Sequence, residues 1–313
     1  MPTDSEVDQV IHRALAAATR APSVHNSQPW RFARRGRVIE VWLDRDRVLA
    51  VVDPHGHEAR LSCGAALYTL RLALAVDGFA ARVRVRPDGE RDDLLAEVEL
   101  DVRHRPTEQE RTLAAAVPRR HTNRRPFLDR AVPERLRVPL ARAAAAEGAR
   151  LVLVDRPELF TPVADLIRRA DRVQSGDPAY RAELRSWLAG PGRADGVPAS
   201  ALGRSPTPGG LVALRDFGAP EADFERVPLL AVLTTLGDTP ADQVVAGQAM
   251  QRVLLTATAS GLAVSPLSQP VEVPTTRRAL GALVGGMVHT VLRIGYGHVG
   301  SPTRRRAVEE VAG

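Results

Sequence analysis

Residues 64–80, GAALYTLRLALAVDGFA, and residues 247–263, GQAMQRVLLTATASGLA, align without a gap. Gly64 matches Gly247, Ala66 matches Ala249 and Leu67 stands opposite Met250. Leu70 stands opposite Val253, Leu72 matches Leu255, Gly78 matches Gly261 and Ala80 matches Ala263. Alanine-rich helices coincide at some positions by chance, but here two glycines bracket the same length of apolar helix in both stretches. Self-similarity at a fixed offset marks a duplicated unit. The chain therefore reads as two copies of one unit, each built on a central core helix.

The flanking sequence fills in the two copies. Residues 5–20 carry apolar side chains at Val7, Val10, Ile11, Ala14, Leu15 and Ala18, the spacing of an amphipathic helix. WRFARRGRVIEVWLD (30–44) predicts a hairpin turning at Gly36. Residues 58–77 form the first core helix, ended by Gly78. ARVRVRP and LLAEVELDV are strands; in the first, Val83 and Val85 alternate with Arg82, Arg84 and Arg86. Beyond them come short helices in TEQERTLAAAV and PERLRVPLARAAAAEG, a strand in ARLVLVD, and helix over 157–188. A buried strand, VPLLAVLTT, precedes the second core helix (240–260), and MVHTVLRIGYG is the last strand. The expected fold is α+β: a first half over 1–106 and a second over 107–313, with mixed β-sheets flanked by helices. Residues 189–220 are rich in Gly, Pro and Ser, and a loop of that length is a candidate lid.

Composition removes several function classes. Of 313 residues, 44% are hydrophobic, enough for a sizeable core. No apolar run reaches the ~18–20 residues of a membrane helix. MPTDSEVDQV lacks the apolar stretch of a signal peptide, so the chain reads as soluble and cytoplasmic, with no membrane partner. A lone Cys63 excludes a disulfide framework and reads as a small buried side chain. All 43 basic residues are arginine, against 37 acidic ones. Without lysine there is no pyridoxal-phosphate Schiff base and no Walker A nucleotide site. Arginine's planar fork of donors remains as a means of binding anions. No aromatic interleaving supports nucleic-acid binding.

Two apparent motifs do not hold. GYGHVG (295–300) matches G-x-G-x-x-G after a strand, but only 13 residues follow, beginning Ser-Pro, so no βαβ unit can form. His55, His57 and Glu58 cluster in DPHGHEAR, but the turn residues around them point to a solvated loop and no metal. No G-x-S-x-G elbow occurs. No side chain stands out as a catalytic acid or base.

Two other stretches carry chemistry. In PRRHTNRRPF (118–127), Arg119, Arg120, Arg124 and Arg125 crowd together with Thr122 and Asn123. Such a cluster is either a phosphate site or a solvated basic linker. Arg304, Arg305 and Arg306 follow the last strand and could close on the same anion. APSVHNSQPW (21–30) is either a rigid loop offering backbone donors and acceptors to a flat ring, or an ordinary turn before a strand.

APSVHNSQPWRF resembles the PSxxNxQPW flavin-contacting segment of the FMN-dependent nitroreductase family. RHTNR (120–124) is similar to that family's R-[RH]-[ST]-x-[RK] phosphate segment. ASGLAVSPLSQP (259–270) resembles the segment after its core helix, and RIGYG with RRRAVEEV resembles its C-terminal strand and basic phosphate ligands. The family's motif order is split here. PSxxNxQPW opens the first half with no arginine motif before it, and the arginine motif opens the second half with no PSxxNxQPW after it. The split looks like the Acg-type branch, a fused intramolecular pseudo-dimer of nitroreductase-like fold. The resemblance implies one complete FMN site and one lost one. Its cofactor residues would be Pro22, Ser23, Val24, Asn26 and Gln28 from the first half. The second would give Arg120, His121, Thr122, Arg124, Pro266, Leu267, Ser268, Gln269, Arg304 and Arg305. The implied activity is hydride transfer from NAD(P)H through flavin N5 to a nitro, quinone or related acceptor. The alternative is non-catalytic FMN storage under a lid. A chain holding both halves can act as a monomer.

Overall fold

The structure, a computed structural model, describes residues 4–313 apart from 87, 88, 90, 191, 207–220, 226, 227, 299 and 301. The first half runs α1 (Asp4–Ala18), β1 (Trp30–Arg35), β2 (Val38–Leu43), α2 (His57–Val76), β3 (Phe79–Val85) and β4 (Leu94–Arg103). Beyond residue 106 the chain runs through α3 (Glu108–Ala116), β5 (Phe127–Leu128), α4 (Glu134–Ala145), β6 (Arg150–Val154), α5 (Pro157–Gly176) and α6 (Pro178–Ser186). The chain closes with β7 (Leu229–Thr235), α7 (Pro240–Ala259), β8 (Ala263–Leu267), α8 (Pro274–Val284) and β9 (Met287–Gly297). The single helix expected over 157–188 is two, because Pro178 cannot extend a helix and Asp177 caps a new one, accepting from the Ala179 N–H.

One sheet has the order β1-β2-β4-β3; the other has β8-β9-β7-β6, with β5 also pairing β9. Both are antiparallel throughout rather than mixed. β7 and β8 do run the same way, but β9 lies between them and opposes both, so the α7 crossover never produces a parallel neighbour. Among the described residues, parallel pairing occurs in two pairs of two-residue strands, among residues 188–206 and 221–222, and at two isolated bridges, Phe32 to Ala312 and Thr122 to Val264.

The two repeat helices, α2 and α7, cross at the centre of the molecule, and their glycines explain why the repeat begins where it does. A Cβ on Gly64 would lie 2.2 Å from the Val244 carbonyl oxygen and 2.9 Å from Gly247 Cα. A Cβ on Gly247 would lie 2.1 Å from the Leu61 carbonyl oxygen and 2.8 Å from Gly64 Cα. The contact is reciprocal, as at an interface between two copies of one surface. Arg60 and Gln243, separated by the same 183 residues, hydrogen bond to each other, Nε to Oε1, at 2.6 Å. Flanking the crossing, Leu67, Leu70, Leu74, Val253 and Leu255 are fully buried, each contributing about 1.5–3 kcal/mol of transfer free energy. By length and composition α2 is the one described helix apolar enough to cross a membrane. Its apolar character is that of a core helix, buried along most of its length.

Helix starts are set locally. Thr239 and Asp242 form a capping box on α7, with Pro240 at its first position. α2 starts after Gly56 at φ 70°, with no side-chain bond from its N-cap. Asp53 serves instead, its Oδ2 accepting from the Ala59 N–H at 2.8 Å.

Gly64→Ala and Gly247→Ala should each lower the unfolding free energy by about 1–3 kcal/mol, the cost of overpacking a close contact. Alanine is the better helix former by ~1 kcal/mol. A urea midpoint that stays or rises in either variant would therefore overturn the backbone-contact argument.

Candidate functional site

The loop after α1 is held in a costly conformation. His25, Asn26 and Gln28 all have positive φ, 52°, 58° and 52°. Non-glycine residues there cost about 1–3 kcal/mol each and persist only where their surroundings enforce them. The Gln28 N–H donates to Ser23 Oγ at 3.0 Å. Its side chain accepts from the Arg306 N–H at 2.9 Å and donates to the Ala194 carbonyl at 2.9 Å. Asn26 Nδ2 donates to the Gly196 and Arg304 carbonyls, both at 3.1 Å. Cys63, buried as expected with its thiol pushed above its usual range by that burial, donates to the Pro29 carbonyl at 3.2 Å.

The arginine segment is fixed from the other side. Thr122 bridges to Val264 of β8, and the Asn123 N–H donates to the Val264 carbonyl at 3.0 Å. The G-x-G-x-x-G stretch supplies its bed. Cβ atoms on Gly295, Gly297 and Gly300 would lie 2.7 Å from Phe127, 2.6 Å from the Asn123 amide and 3.1 Å from His121 Cβ. The glycines make room for this segment, not for a dinucleotide.

Together these pieces enclose two adjoining cavities that share Pro22, Ser23, Thr122 and Arg124. The larger, about 810 Å³, lies between Pro22–Val24 and Pro266–Gln269. Leu61 and Ser62 of α2, Met250 of α7, Ser265 and Thr290 complete its walls. The smaller, about 380 Å³, is lined by Asn26, Arg120, His121, Arg305 and Thr303 as well as the shared residues. Of the expected residues, Pro22, Ser23, Val24, Asn26, Arg120, His121, Thr122, Arg124, Arg305 and all of Pro266–Gln269 come together here.

Gln28 and Arg304 do not. Gln28 is wholly buried and lines neither cavity, because its amide is spent bracing the strained loop. Arg304 faces outward, its Nη1 reaching the Gly192 carbonyl at 3.4 Å. Its neighbour Arg305 points inward, while Arg306 lies beside Asp44 at 3.7 Å.

The smaller cavity has a charge problem. No carboxylate appears among its lining residues. Burial, and then neighbouring Arg20, push Arg120 down to about 10. Burial, then Arg120 and Arg20, push Arg305 down to about 9. His121 is lowered too, by burial first and then by Arg120, Arg305 and Arg20. The Nε atoms of Arg120 and Arg305 are buried without a hydrogen-bond acceptor, as is Gln269 Nε2 in the larger cavity. Buried guanidinium N–H groups without an acceptor are expensive, and an anion among them would relieve both the repulsion and the missing bonds.

Part of the expected lid covers this space. Val197 lines the smaller cavity, and Leu202 and Arg204 line the larger. Arg124 Nη1 donates to the Ala201 carbonyl at 3.1 Å. Gly203 packs so closely on Arg124 that a Cβ there would lie 2.4 Å from its carbonyl oxygen. Asp195 pairs with Arg47 at 3.1 Å. Residues 191 and 207–220 of the expected lid lie outside the described residues.

Sequence reasoning missed the contributions of α2, α7 and β9. Leu61, Ser62 and Met250 sit beside the repeat glycines, so the alignment that found the helices held the signal for the walls. It also misread residues 53–58. Pro54 and His55 are exposed in a turn, but Asp53, His57 and Glu58 are buried, since the turn leads directly into the core helix.

No family model matches the chain. "Putative NAD(P)H nitroreductase Rv3131" of Mycobacterium tuberculosis is 34% identical over 97% of this chain and 91% of its own length. "Putative NAD(P)H nitroreductase acg" of the same organism is 32% identical over 99% and 97%. Similar solved structures include a nitroreductase with bound FMN from Desulfitobacterium hafniense DCB-2, 14% identical over 64% of this chain and 96% of that one, TM-score 0.42. With that identity to its relatives along nearly its entire length, the chain belongs to the nitroreductase family.

Proposed function

We propose that the chain binds one FMN across the two joined cavities and is an FMN-dependent oxidoreductase, taking hydride from NAD(P)H and passing it to a nitro, quinone or related acceptor. The observation that carries this reading is the pair of neighbouring arginines, Arg120 buried and Arg305 half-buried, whose buried Nε donors lack acceptors in a cavity with no carboxylate among its described lining residues. A phosphate monoester fits that donor set. Thr122 and Arg124 stand where the two cavities meet. The larger cavity suits a flat heteroaromatic ring, with Gln269 Nε2 available to a ring carbonyl.

FMN would supply the two-electron hydride chemistry, and the protein's share is binding, orientation and electrostatics. The Pro22–Val24 wall comes from the first half and the arginine and Pro266–Gln269 walls from the second, which favours reading the chain as an intramolecular pseudo-dimer. One live site is favoured by what stands at the mirrored position. Ser62 lines the cavity, but its counterpart Val245 instead meets Gly148 after α4, 3.6 Å from where a Cβ on that glycine would be.

A second reading, flavin storage without turnover, is favoured by the contacts that hold residues 194–203 down on Asn26, Gln28, Arg47 and Arg124.

Arg120→Ala and Arg305→Ala should each weaken FMN binding by about 1.5–3 kcal/mol, the range for hydrogen bonds to charged groups, whereas Arg304→Ala should leave it unchanged. Fluorescence titration of flavin-stripped protein measures all three; full affinity in both inward-facing variants would mean the phosphate lies elsewhere. Replacing residues 192–204 with a short Gly-Ser linker should speed anaerobic bleaching of the bound flavin by NADPH. Flavin retained with no faster bleaching would remove the segment's covering role.

A further inference from the structure

Chemistry in a covered cavity needs a route for protons, and on the oxidoreductase reading above this cavity has one. Glu58 is the only carboxylate among the residues lining the larger cavity, and it is 5% exposed. Behind it lies His57, with Nδ1 3.6 Å from Glu58 Oε1. On the far side of that ring, His57 Nε2 is 3.1 Å from His289 Nδ1. The two rings are within 5° of parallel with centroids 5.3 Å apart, so they meet edge to edge through that N···N contact. His289 Nε2 in turn meets Thr235 Oγ1 at 2.5 Å. Thr235 is itself buried, but its hydroxyl bonds the carbonyl of half-buried Gly237 and it precedes the fully exposed Leu236, so the chain of contacts runs from the cavity wall to within a residue of the surface and crosses from one half to the other.

We propose that Glu58 is the proton-loading group of the cavity, recharged from the surface through Thr235, His289 and His57.

Two proton arrangements satisfy the chain. In one, Thr235 donates to His289 Nε2, His289 Nδ1 donates to His57 Nε2, and His57 Nδ1–H faces Glu58. In the other, Thr235 donates to the Gly237 carbonyl, 2.6 Å away, and accepts from His289 Nε2–H. His57 Nε2–H then donates to His289 Nδ1, which requires Arg277 Nη2 to turn its N–H from His57 Nε2 wholly to Asp238 Oδ1, already 2.8 Å away, and His57 Nδ1 presents a lone pair to Glu58. Passing from the first arrangement to the second moves one proton on to Glu58 while solvent supplies one at Thr235; rotation of the rings and the hydroxyl resets the chain. The last transfer requires Glu58 Oε1 to close the 3.6 Å gap to His57 Nδ1.

Such a relay requires neutral imidazoles, which have one donor and one acceptor each. Burial, followed by Arg277, pushes His57 down to about 4, and burial, followed by His57, pushes His289 down to about 3. Asp53 and Arg60 from the first half, and Asp238 and Asp242 from the second, also face the pair. Asp53, beside Glu58, is pushed up to about 7 by burial and then by Glu58. His57, Asp238 and His289 have nitrogen and oxygen atoms within 4.8 Å of one another. Arg277 Nη2 already lies 3.0 Å from His57 Nε2 and 2.8 Å from Asp238 Oδ1. A guanidinium provides the positive charge there, which favours a relay over an ion site.

The test is potentiometric. In FMN-loaded protein, the midpoint potential should fall twice as steeply between about pH 6 and about pH 8 in wild type as in Glu58→Gln, because the variant loses one of two protons taken up per electron pair. Equal slopes would overturn the proposal. A wild-type chain that takes up no FMN would instead overturn the reading of the cavity, and that is evident before any potential is measured. In His289→Asn the slope should match wild type, since Glu58 still equilibrates. Proton uptake after photoreduction, followed with a pH-indicator dye, should slow by about a hundredfold. An undiminished rate would overturn the route through the histidines.

Discussion

Two helices touch through their backbones at Gly64 and Gly247, and the candidate site is built outward from that crossing. Because each glycine lies against the other's Cα and against the carbonyl oxygen three residues before it, neither helix can shift without opening a gap or a clash. Leu61 and Ser62 on one helix and Met250 on the other are within a turn of the crossing, and all three form cavity wall. The width of the cavity is thus set by the closest contact in the core. Packing at interior density transmits small displacements, so a change at the glycines reaches the wall directly.

Electrostatics works against that core. Arg120, buried, and Arg305, half-buried, lie close to each other and to Arg20, an arrangement that lowers both and leaves their buried Nε donors without acceptors. The protein tolerates it by surrounding the cluster with rigid supports: the strained Ser23–Gln28 loop, the Asn123 bonds to β8, and the Arg304–Arg306 main chain. On the proposed reading the cluster is a site arranged for an anion, whose binding would lose little entropy in ordering side chains.

How much of this was legible in the sequence depended on whether the signal was local. The core helices showed themselves by glycine-bracketed repeats, and the hairpin at Gly36 and the strands by alternation. The segments at 21–30, 118–127 and 264–270 carry their chemistry in consecutive residues, and they do assemble. What could not be read was which neighbour turns inward. Arg304 and Arg305 differ by one residue on an irregular segment, where no periodicity assigns a face; the hydrogen bonds of Asn26 and Gln28 to that main chain decide it. Gln28 was legible as part of the loop but not as its brace. DPHGHEAR misled because turn residues usually mark solvent, whereas this turn is the N-terminus of a buried helix, and the partners of His57, namely Asp238, Arg277 and His289, are all about 180 residues or more away.

The departures from symmetry matter more than the symmetry. At the crossing, both halves obey the same rule and the contact is exchanged between them. One turn away they part: Ser62 faces open space, and Val245, its counterpart, faces the chain after α4. The N-terminal end of the first core helix carries Glu58 and His57, whereas positions 240 and 241 of the second are Pro and Ala within a capped start. Each half has therefore been free to keep what the other lacks. The first half supplies the strained loop and the buried acid, and the second supplies the arginines, the β8 edge and His289. A duplicated unit that needed both sites would have to conserve every one of these twice. On the readings proposed above, this chain needs only one, and the positions freed at the other are open to the chain after α4 and to a proton path across the internal interface.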